Sequence, residues 1–362
     1  MLPSSRRLFL KAIAGLALSS TAACAARRWV GKEDGLIAND PDPLLIADFT
    51  IAIEGLDKAE GIAIDRTGNV YLSQHNGIAR WTKEGGLAAV GSAQSPAGIA
   101  LDRQGGLIIA GMGLLHHEAG PLQRMDLSSG QTHVLVDQIG ARQLVASNFP
   151  VVARGGAIYC SHSSWGPAQN IGRSVGNGFI YRYQDATVEV VADGLRGANG
   201  LCLDADEAHL YCALTAEGRV RRWKRTADGR LTDPEDYGPA LGAVVPDHMI
   251  DAIRAMPADE RAELGYCDGL AFDRSGNLWV TLPFANRLVA ITPDRRLVHI
   301  AHDPAGDTIS MPTNMAWGGP DGRTLHVVNR GTGMVAVART ATAGISLAAG
   351  PYLPARNASS IL

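Results

Sequence analysis

The chain has 362 residues, a formal net charge of −3 at pH 7, and 46% hydrophobic residues. That length fits one large all-β domain or two ordinary domains, and the apolar content is typical of a globular protein. The body of the chain has no Lys/Arg block, so we expect no nucleic-acid partner, and beyond the N-terminal segment no apolar run could span a bilayer.

Residues 1–26 have the pattern of a twin-arginine export signal. Arg6 and Arg7 begin the run RRLFLK, and a mildly apolar segment rich in Ala and Gly follows. This pattern predicts cleavage near residue 26 and export, in the simplest case to a periplasm. An ordinary basic signal start is one alternative. Lipid attachment at Cys24 is another, ranked second because Thr21 stands where such sites usually carry Leu.

A repeated pattern occupies the rest of the chain. Each copy has a short apolar strand, a turn rich in Asp and Gly, a second apolar strand, and then a third and often a fourth strand. The copies begin EGIAIDRTGNVYL at 60, AGIALDRQGGLII at 97, NFPVVARGGAIYC at 148, NGLCLDADEAHLYC at 199, DGLAFDRSGNLWV at 268 and TNMAWGGPDGRTLHVV at 313. Six copies predict an all-β, six-bladed β-propeller over residues 44–355. We expect the strand-like segment 44–53 to close the ring against the last blade.

Four cysteines follow the N-terminal segment, and all lie in or beside apolar strands: Cys160, Cys202, Cys212 and Cys267. None forms a CxxC pair, so the sequence argues against a zinc-thiolate site. Each is expected to be a small buried apolar side chain. A disulfide between Cys202 and Cys212, on neighbouring strands of one hairpin, is the less favoured alternative.

The first residue of each innermost strand is expected at the mouth of the central channel. These residues, in blade order, are Glu60, Ala97, Asn148, Asn199, Asp268 and Thr313. Four of the six are carboxylates or amides, the oxygen donors that bind a hard cation. The pattern predicts one divalent metal held by Glu60, Asn148, Asn199 and Asp268. We rank Ca²⁺ first, with Zn²⁺, Mn²⁺ and Mg²⁺ as alternatives.

These motifs resemble the senescence marker protein/gluconolactonase/luciferin-regenerating enzyme family. The similarity rests on Glu60-Gly61, on Asn148, on ANGL around Asn199 and on CDGLAFDRSGNLWV around Asp268. It implies a six-bladed propeller with a divalent metal in the channel and hydrolysis of lactones or related esters. More distantly, paraoxonases and diisopropylfluorophosphatase share the architecture.

Two positions depart from the pattern of that family. Ile62 follows Glu60-Gly61 where Pro is common, and Phe149-Pro150 follow Asn148 where the family commonly has Asp. An aromatic residue and a proline near the mouth favour a substrate less polar than a sugar lactone.

Candidate substrate contacts lie in the connections between second and third strands, which return to the same face as the ligands. They are His75, His117 and Trp165, together with Asn148 and Phe149 at the third-blade mouth. Long connections rich in Gly, Ser and Asn are typical of binding loops. Each of these histidines, His116 included, has a surface or packing role as its alternative.

His162 ends the second strand of the third blade, and we expect it to point near the metal. It is a candidate catalytic residue for proton transfer or substrate hydrogen bonding. A packing histidine is the open alternative.

A helical insertion is predicted between blades 4 and 5, within residues 226–265. In the stretch from Pro246, Asp247 is a candidate N-cap, Pro257 interrupts the helix and Gly265 ends it. Because this stretch leads directly to Asp268, it should lie beside the channel mouth. A lid is one hypothesis; a dimer contact or a surface ornament are the others.

The leading functional hypothesis is a metal-dependent lactonase or esterase acting on a small molecule, in which Asp268 activates water. No G-x-S-x-G motif supports a serine nucleophile. A phosphotriester hydrolase on the same metal is the second hypothesis. A non-catalytic periplasmic binding propeller is the third, because a fold does not fix a function.

Overall fold

The computed structural model of the protein describes residues 40–173, 175–245 and 250–345. The predicted export signal at residues 1–26, the alternative lipid site at Cys24 and the candidate N-cap Asp247 lie outside these ranges. None of the helices in the described part of the chain is long and apolar enough to cross a membrane.

The described residues form six four-stranded antiparallel sheets arranged as the blades of a propeller, which confirms the predicted fold. The first strand, β1 (Thr50–Ile53), belongs to blade 6. Blade 1 contains β2 (Ile62–Ile64), β3 (Val70–Gln74), β4 (Gly77–Thr82) and β5 (Gly86–Ser92), and blade 2 contains β6 (Pro96–Leu101), β7 (Gly106–Gly111), β8 (Leu122–Asp126) and β9 (Thr132–Val136). A small separate hairpin follows, formed by β10 (Gln138–Ile139) and β11 (Arg142–Gln143). Blade 3 contains β12 (Ser147–Val152), β13 (Ile158–His162), β14 (Gly178–Gln184) and β15 (Thr187–Leu195).

Blades 4 to 6 follow the same order, from an innermost to an outermost strand. Their strands are β16 (Ala198–Leu203), β17 (His209–Leu214), β18 (Arg219–Arg225), β19 (Leu231–Asp236), β20 (Leu270–Phe272), β21 (Leu278–Leu282), β22 (Arg287–Ile291), β23 (Leu297–His302), β24 (Pro312–Gly318), β25 (Thr324–Asn329) and β26 (Met334–Arg339). Within the predicted insertion 226–265, residues 231–236 are therefore the outer strand of blade 4.

The ring closes where β1 pairs with β26, with Thr50 opposite Val337. Blade 6 thus takes its three inner strands from one end of the domain and its outer strand from the other. The predicted closure is therefore found at residues 50–53, whereas residues 46–48 of the predicted strand-like segment 44–53 form a 3₁₀ helix.

The apolar core is divided among the interfaces between adjacent blades. Each interface has its own cluster of buried side chains, because a blade buries both of its faces against its neighbours. Between blades 5 and 6, for example, the rings of Trp279 and Trp317 pack edge to face with centroids 5.1 Å apart. Packing of the sheets against one another holds the innermost strands around the axis.

The Asp-x-x-Gly turns explain why the repeat motif recurs. After β20, one oxygen of the Asp273 carboxylate accepts the N–H groups of Ser275 (2.9 Å) and Asn277 (3.0 Å). Its other oxygen accepts the Asn277 amide (2.8 Å) and the indole N–H of Trp279 (3.0 Å). Asp65 binds the turn in blade 1 in the same way. These aspartates are structural, and they lie at the opposite end of the innermost strands from Asp268.

The four buried cysteines are free. In blade 4, Cys212 lies opposite Leu201, and Cys202 lies opposite Tyr211. Cys202 and Cys212 therefore point to opposite faces of the sheet, because adjacent residues of a strand alternate. The alternative of a Cys202–Cys212 disulfide is wrong for this reason.

The helical insertion contains two short helices, α1 (Ile250–Ala255) and α2 (Ala258–Ala262), separated at Pro257 as predicted. The second helix contacts the 3₁₀ helix Pro283–Ala285, which joins β21 to β22. Tyr266 packs edge to face on Phe284, with ring centroids 5.6 Å apart. The insertion therefore packs on the blade 5 connection at the face that carries the channel mouth.

Candidate active site

In four of the six blades, the pairing of the innermost strand with the second strand shifts at or beside the mouth residue. In blade 4 the pairing of β16 with β17 shifts between Ala198 and Leu201, so Asn199 and Gly200 lie in a bulge. Bulges of this kind commonly re-aim a side chain beside a functional site.

Hydroxyl groups of the second strands replace the ladder bonds that the irregular strand starts cannot make. Ser73 accepts the N–H of Gly61 at 2.7 Å, and Thr281 accepts the N–H of Gly269 at 2.8 Å. In blade 3, Ser161 accepts the N–H of Phe149 at 3.0 Å. The backbone at the mouth is thereby held in place although it has left the regular ladder.

Glycine follows the mouth residue in four blades because neighbouring innermost strands touch there. A Cβ atom on Gly200 would lie 2.2 Å from the Asp268 carbonyl oxygen, and one on Gly269 would lie 2.6 Å from that of Thr313. Such distances are impossible for a real side chain without a shift of the backbone. The close approach holds the mouth residues of adjacent blades near one another.

Two of the predicted ligands are joined by a hydrogen bond. The Asn148 amide donates to the Asn199 Oδ1 at 3.0 Å. The side chain of Asn199 also lies close enough to Asp268 to oppose the rise of its pKa. Asn148 further donates to the Ser163 hydroxyl at 2.8 Å. Both asparagines are buried, whereas Asp268 is half-buried.

Glu60 completes the group from the opposite side. Burial and the nearby negative charge of Glu60 raise the pKa of Asp268 well above its usual range, with Arg330 and Asn199 opposing the shift. Two carboxyl groups thus lie close enough to interact across the channel mouth. Their roles as metal ligands remain a prediction that the geometry does not test.

The donor chemistry of these four residues fits a hard divalent cation. Two carboxylates match its charge, and two amide carbonyls supply neutral oxygen. A cation between Glu60 and Asp268 would also remove the repulsion that raises the pKa of Asp268. No group of three or more His, Cys, Asp or Glu side chains suited to a metal occurs among the described residues, so any site here depends on the amides.

A cavity of about 150 Å³ is lined by three of these four residues, and we call it the upper cavity. Its floor includes Glu60, Asn148 and Asn199. Its walls come mainly from the connections between second and third strands and from the start of β6: Lys58, His75, Ser95, Pro96, Ala97, Met112, Leu115, His116, Ile171 and Arg330. No described residue of the helical insertion lines it, so the lid hypothesis gains no support from the described residues.

Arg330 is a cavity residue that the sequence analysis missed. It follows the end of β25, and its guanidinium forms an ion pair with Glu60 and donates to the Lys58 carbonyl oxygen at 3.2 Å. Its position corresponds to that of His75, which follows the second strand of blade 1. Applying that equivalence to blade 6 would have identified it.

The histidines of the rim are placed differently from the prediction. His75 lines the cavity, and its ring contacts that of His116 edge to face, with centroids 5.0 Å apart. His117, named as the substrate contact, is exposed, has a φ of 59° at the end of the 3₁₀ helix Gly113–His116, and does not line the cavity. The cavity residue of this pair is His116. Burial, His75 and Lys58 lower its pKa, which favours the neutral imidazole.

The predicted orientation of His162 is not found. This residue ends β13, and the flanking Ser161 and Ser163 donate to the innermost strand of blade 4 and therefore face that blade. His162 alternates to the other face, is fully buried, and stacks on Phe179 with ring centroids 4.4 Å apart. Its Nε2 accepts the Ala146 N–H at 3.2 Å. These surroundings are those of a packing residue.

Trp165 and Phe149 also lie away from the upper cavity. Trp165 packs on His162 with ring centroids 4.4 Å apart, and the Arg142 guanidinium covers its ring at 4.1 Å. Phe149 lies over Gly98 and lines a second, apolar cavity of about 140 Å³ below the mouth. Only Asn148 and His75 of the five predicted substrate contacts line the upper cavity.

We expect His162→Phe to destabilise the protein by about 1–3 kcal/mol and to change lactone hydrolysis by less than about tenfold. The destabilisation follows because the N–H of Ala146 loses its acceptor inside the blade. Chemical denaturation and initial-rate assays measure the two effects. A loss of activity with unchanged stability would instead restore His162 as a catalytic residue.

The same variant has a distinct pH signature. Burial, aided by Arg142, lowers the pKa of His162 from 6.5 to about 3, so the unfolded chain binds the proton more readily between these values. The contribution of His162 to the free energy of unfolding is therefore fully present above pH 6.5 and is lost as the pH falls toward 3. His162→Phe should therefore flatten the decline in unfolding free energy on acidification.

The fold is a six-bladed propeller, and carboxylate and amide side chains lie near the mouth of its channel. Residues 58–330 match the family model described as the SMP-30/gluconolactonase/LRE-like region. The match covers well over half of the chain, which therefore belongs to this gluconolactonase-like family.

Solved structures agree with this fold at low sequence identity. A gluconolactonase from Xanthomonas campestris is 22% identical with a TM-score of 0.61, over 81% of this chain and 89% of that chain. A luciferin-regenerating enzyme is 14% identical with a TM-score of 0.61, over 87% and 100%. Regucalcin from Agrobacterium tumefaciens, described as a calcium-binding protein, is 16% identical with a TM-score of 0.60, over 84% and 97%. No curated protein sequence matches the chain significantly.

Proposed function

We propose that this protein hydrolyses lactones or related esters with the help of one divalent metal ion, and that this ion is Ca²⁺. Glu60, Asn148, Asn199 and Asp268 would hold the ion. The observation that carries the proposal is that Glu60, Asn148 and Asn199 line one open cavity, with Asp268 near Glu60 and Asn199, in a chain of the gluconolactonase-like family.

When bound, the ion would polarise the substrate carbonyl and lower the cost of the negative charge that develops on its oxygen. Asp268 acts as the general base, because a cation held between it and Glu60 would offset the repulsion that raises its pKa and would favour its ionised carboxylate. It takes a proton from water as the water oxygen bonds to the carbonyl carbon. The acyl C–O bond then breaks, and the leaving alkoxide takes the proton back.

Asn148 and Asn199 orient the site. Asn199 donates to the Thr215 hydroxyl at 3.1 Å, and that hydroxyl donates to the Cys267 carbonyl oxygen at 2.8 Å. This relay ties the amide of blade 4 to the residue that precedes Asp268. Both asparagines are thereby fixed before any ligand arrives, which lowers the cost of ordering the site.

The test is a comparison of substrate classes with the purified protein in the presence of Ca²⁺. Initial rates are measured on aliphatic lactones, aryl esters and phosphotriesters. We expect lactones or esters to be hydrolysed at rates well above those of a preparation of the Asp268→Asn variant. Hydrolysis of phosphotriesters alone would identify a phosphotriester hydrolase instead. Ion-dependent stabilisation without hydrolysis of any of the three substrate classes would indicate a binding protein.

A further inference from the structure

The upper cavity is lined by four basic side chains that the proposed hydrolysis does not use. Lys58 and His75 come from blade 1, His116 from blade 2 and Arg330 from blade 6. Glu60 is the only carboxylate among the described residues that line this cavity.

Arg330 is held in position by two contacts. Its guanidinium pairs with Glu60 and donates to the Lys58 carbonyl oxygen at 3.2 Å, and about a quarter of its side chain remains exposed. Lys58 has a φ of 49°, which is uncommon for a residue with a side chain. This unusual backbone presents its carbonyl oxygen to Arg330, so the two basic residues belong to one local arrangement.

The basic residues share one electrostatic environment. Both Lys58 and Arg330 contribute to lowering the pKa of His116, as does His75, after the effect of burial. Glu118 is the opposing charge at His116, and its carboxylate accepts the Ser95 hydroxyl at 3.0 Å. Basic side chains from blades 6, 1 and 2 therefore lie close enough to interact with one another.

A bound divalent cation would increase this excess. Its two charges would be matched by Glu60 and Asp268, and Arg330 and Lys58 would then carry positive charge toward the cavity without an equal negative charge beside them. A site with such an excess favours an anionic ligand. Arginine adds geometric selectivity, because its planar fork matches a carboxylate.

The cavity also has apolar lining residues. They are Met112, Leu115 and Ile171, from blades 2 and 3. A ligand that fills the cavity therefore meets both hydrocarbon and cationic groups.

We propose that the substrate is a lactone or ester bearing a separate carboxylate group, which binds Arg330 and Lys58 while its ring carbons pack on Met112, Leu115 and Ile171. This inference rests on the proposed function and specifies its substrate class. The scissile carbonyl then faces the mouth residues on the cavity floor.

The experiment uses a matched pair of substrates, a γ-butyrolactone with a ring carboxylate and the same lactone with a carboxamide. We expect kcat/KM for the carboxylate to exceed that for the carboxamide at least about tenfold, and this preference should fall as salt is raised. Lys58→Gln should raise KM for the carboxylate about three- to tenfold with little change in kcat, and should leave the carboxamide unaffected. Lys83→Gln, in the exposed β4–β5 turn, is the matched control and should change neither.

A second readout does not depend on turnover. Thermal stabilisation of the Asp268→Asn protein by the carboxylate lactone should exceed that by the carboxamide, and Lys58→Glu should abolish the difference. Equal hydrolysis of the two lactones, unaltered in Lys58→Gln, would overturn the carboxylate assignment and leave the proposed function intact. Hydrolysis of neither lactone, with no binding difference, would overturn both.

Discussion

Asp268→Asn is expected to lower kcat/KM for lactone hydrolysis by about a thousandfold, which is within the usual range for removal of a general base. The amide is isosteric with the carboxyl group but can neither accept the proton nor match half of the charge of a divalent ion. Initial rates on the best substrate, with circular dichroism to confirm the fold, provide the measurement.

The matched control is Asp206→Asn, which makes the same chemical change on an exposed residue in the turn between β16 and β17. We expect it to retain full activity. Because burial beside Glu60 disfavours the Asp268 carboxylate, the Asn variant should also be at least as stable as the wild-type protein without metal. Full activity of Asp268→Asn would exclude the proposed role.

Removal of divalent ions is the second change with a large expected effect. Treatment with a chelator should reduce lactone hydrolysis to background, and addition of Ca²⁺ should restore it. Binding to the folded state alone would stabilise the protein by about 2.7 kcal/mol at an ion concentration about a hundred times Kd, which is measurable as a rise in Tm of several degrees. Parallel additions of Mg²⁺, Mn²⁺ and Zn²⁺ rank the ions.

Glu60→Gln and Asp268→Asn are the variants that make this experiment specific. Each removes one of the two carboxylates at the mouth, so their Tm should respond to Ca²⁺ much less than that of the wild-type protein. A chelated wild-type protein with undiminished turnover would show that the ion has no part in the reaction.

The propeller and the residues at its mouth were predictable because the repeat supplies an internal comparison. Asp268 alone is ambiguous, whereas Glu60, Asn148 and Asn199 at equivalent positions restrict the interpretation. The outer strand β1 was also predictable, since a ring of six four-stranded blades needs one more strand than the sixth repeat contains.

The other residues of the site could not be predicted, because a sequence pattern does not show where a strand ends or which distant residues meet in space. His162 was placed wrongly because β13 extends through it, and alternation turns its ring into the interface between blades 2 and 3. Lys58 and Arg330 are far apart in sequence and meet only where the ring closes. The choice between His116 and His117 depends on the exact end of a short 3₁₀ helix.

The pairing of β1 with β26 has a consequence for the order of events during synthesis. β1 leaves the ribosome early, but its partner is among the last segments of the domain to be made. Contacts of such large sequence separation form slowly. Arg330 meets Glu60 across the same junction. The cavity therefore cannot exist on a nascent chain, and premature termination before residue 334 should leave a polypeptide with neither a closed domain nor a place for its ligand.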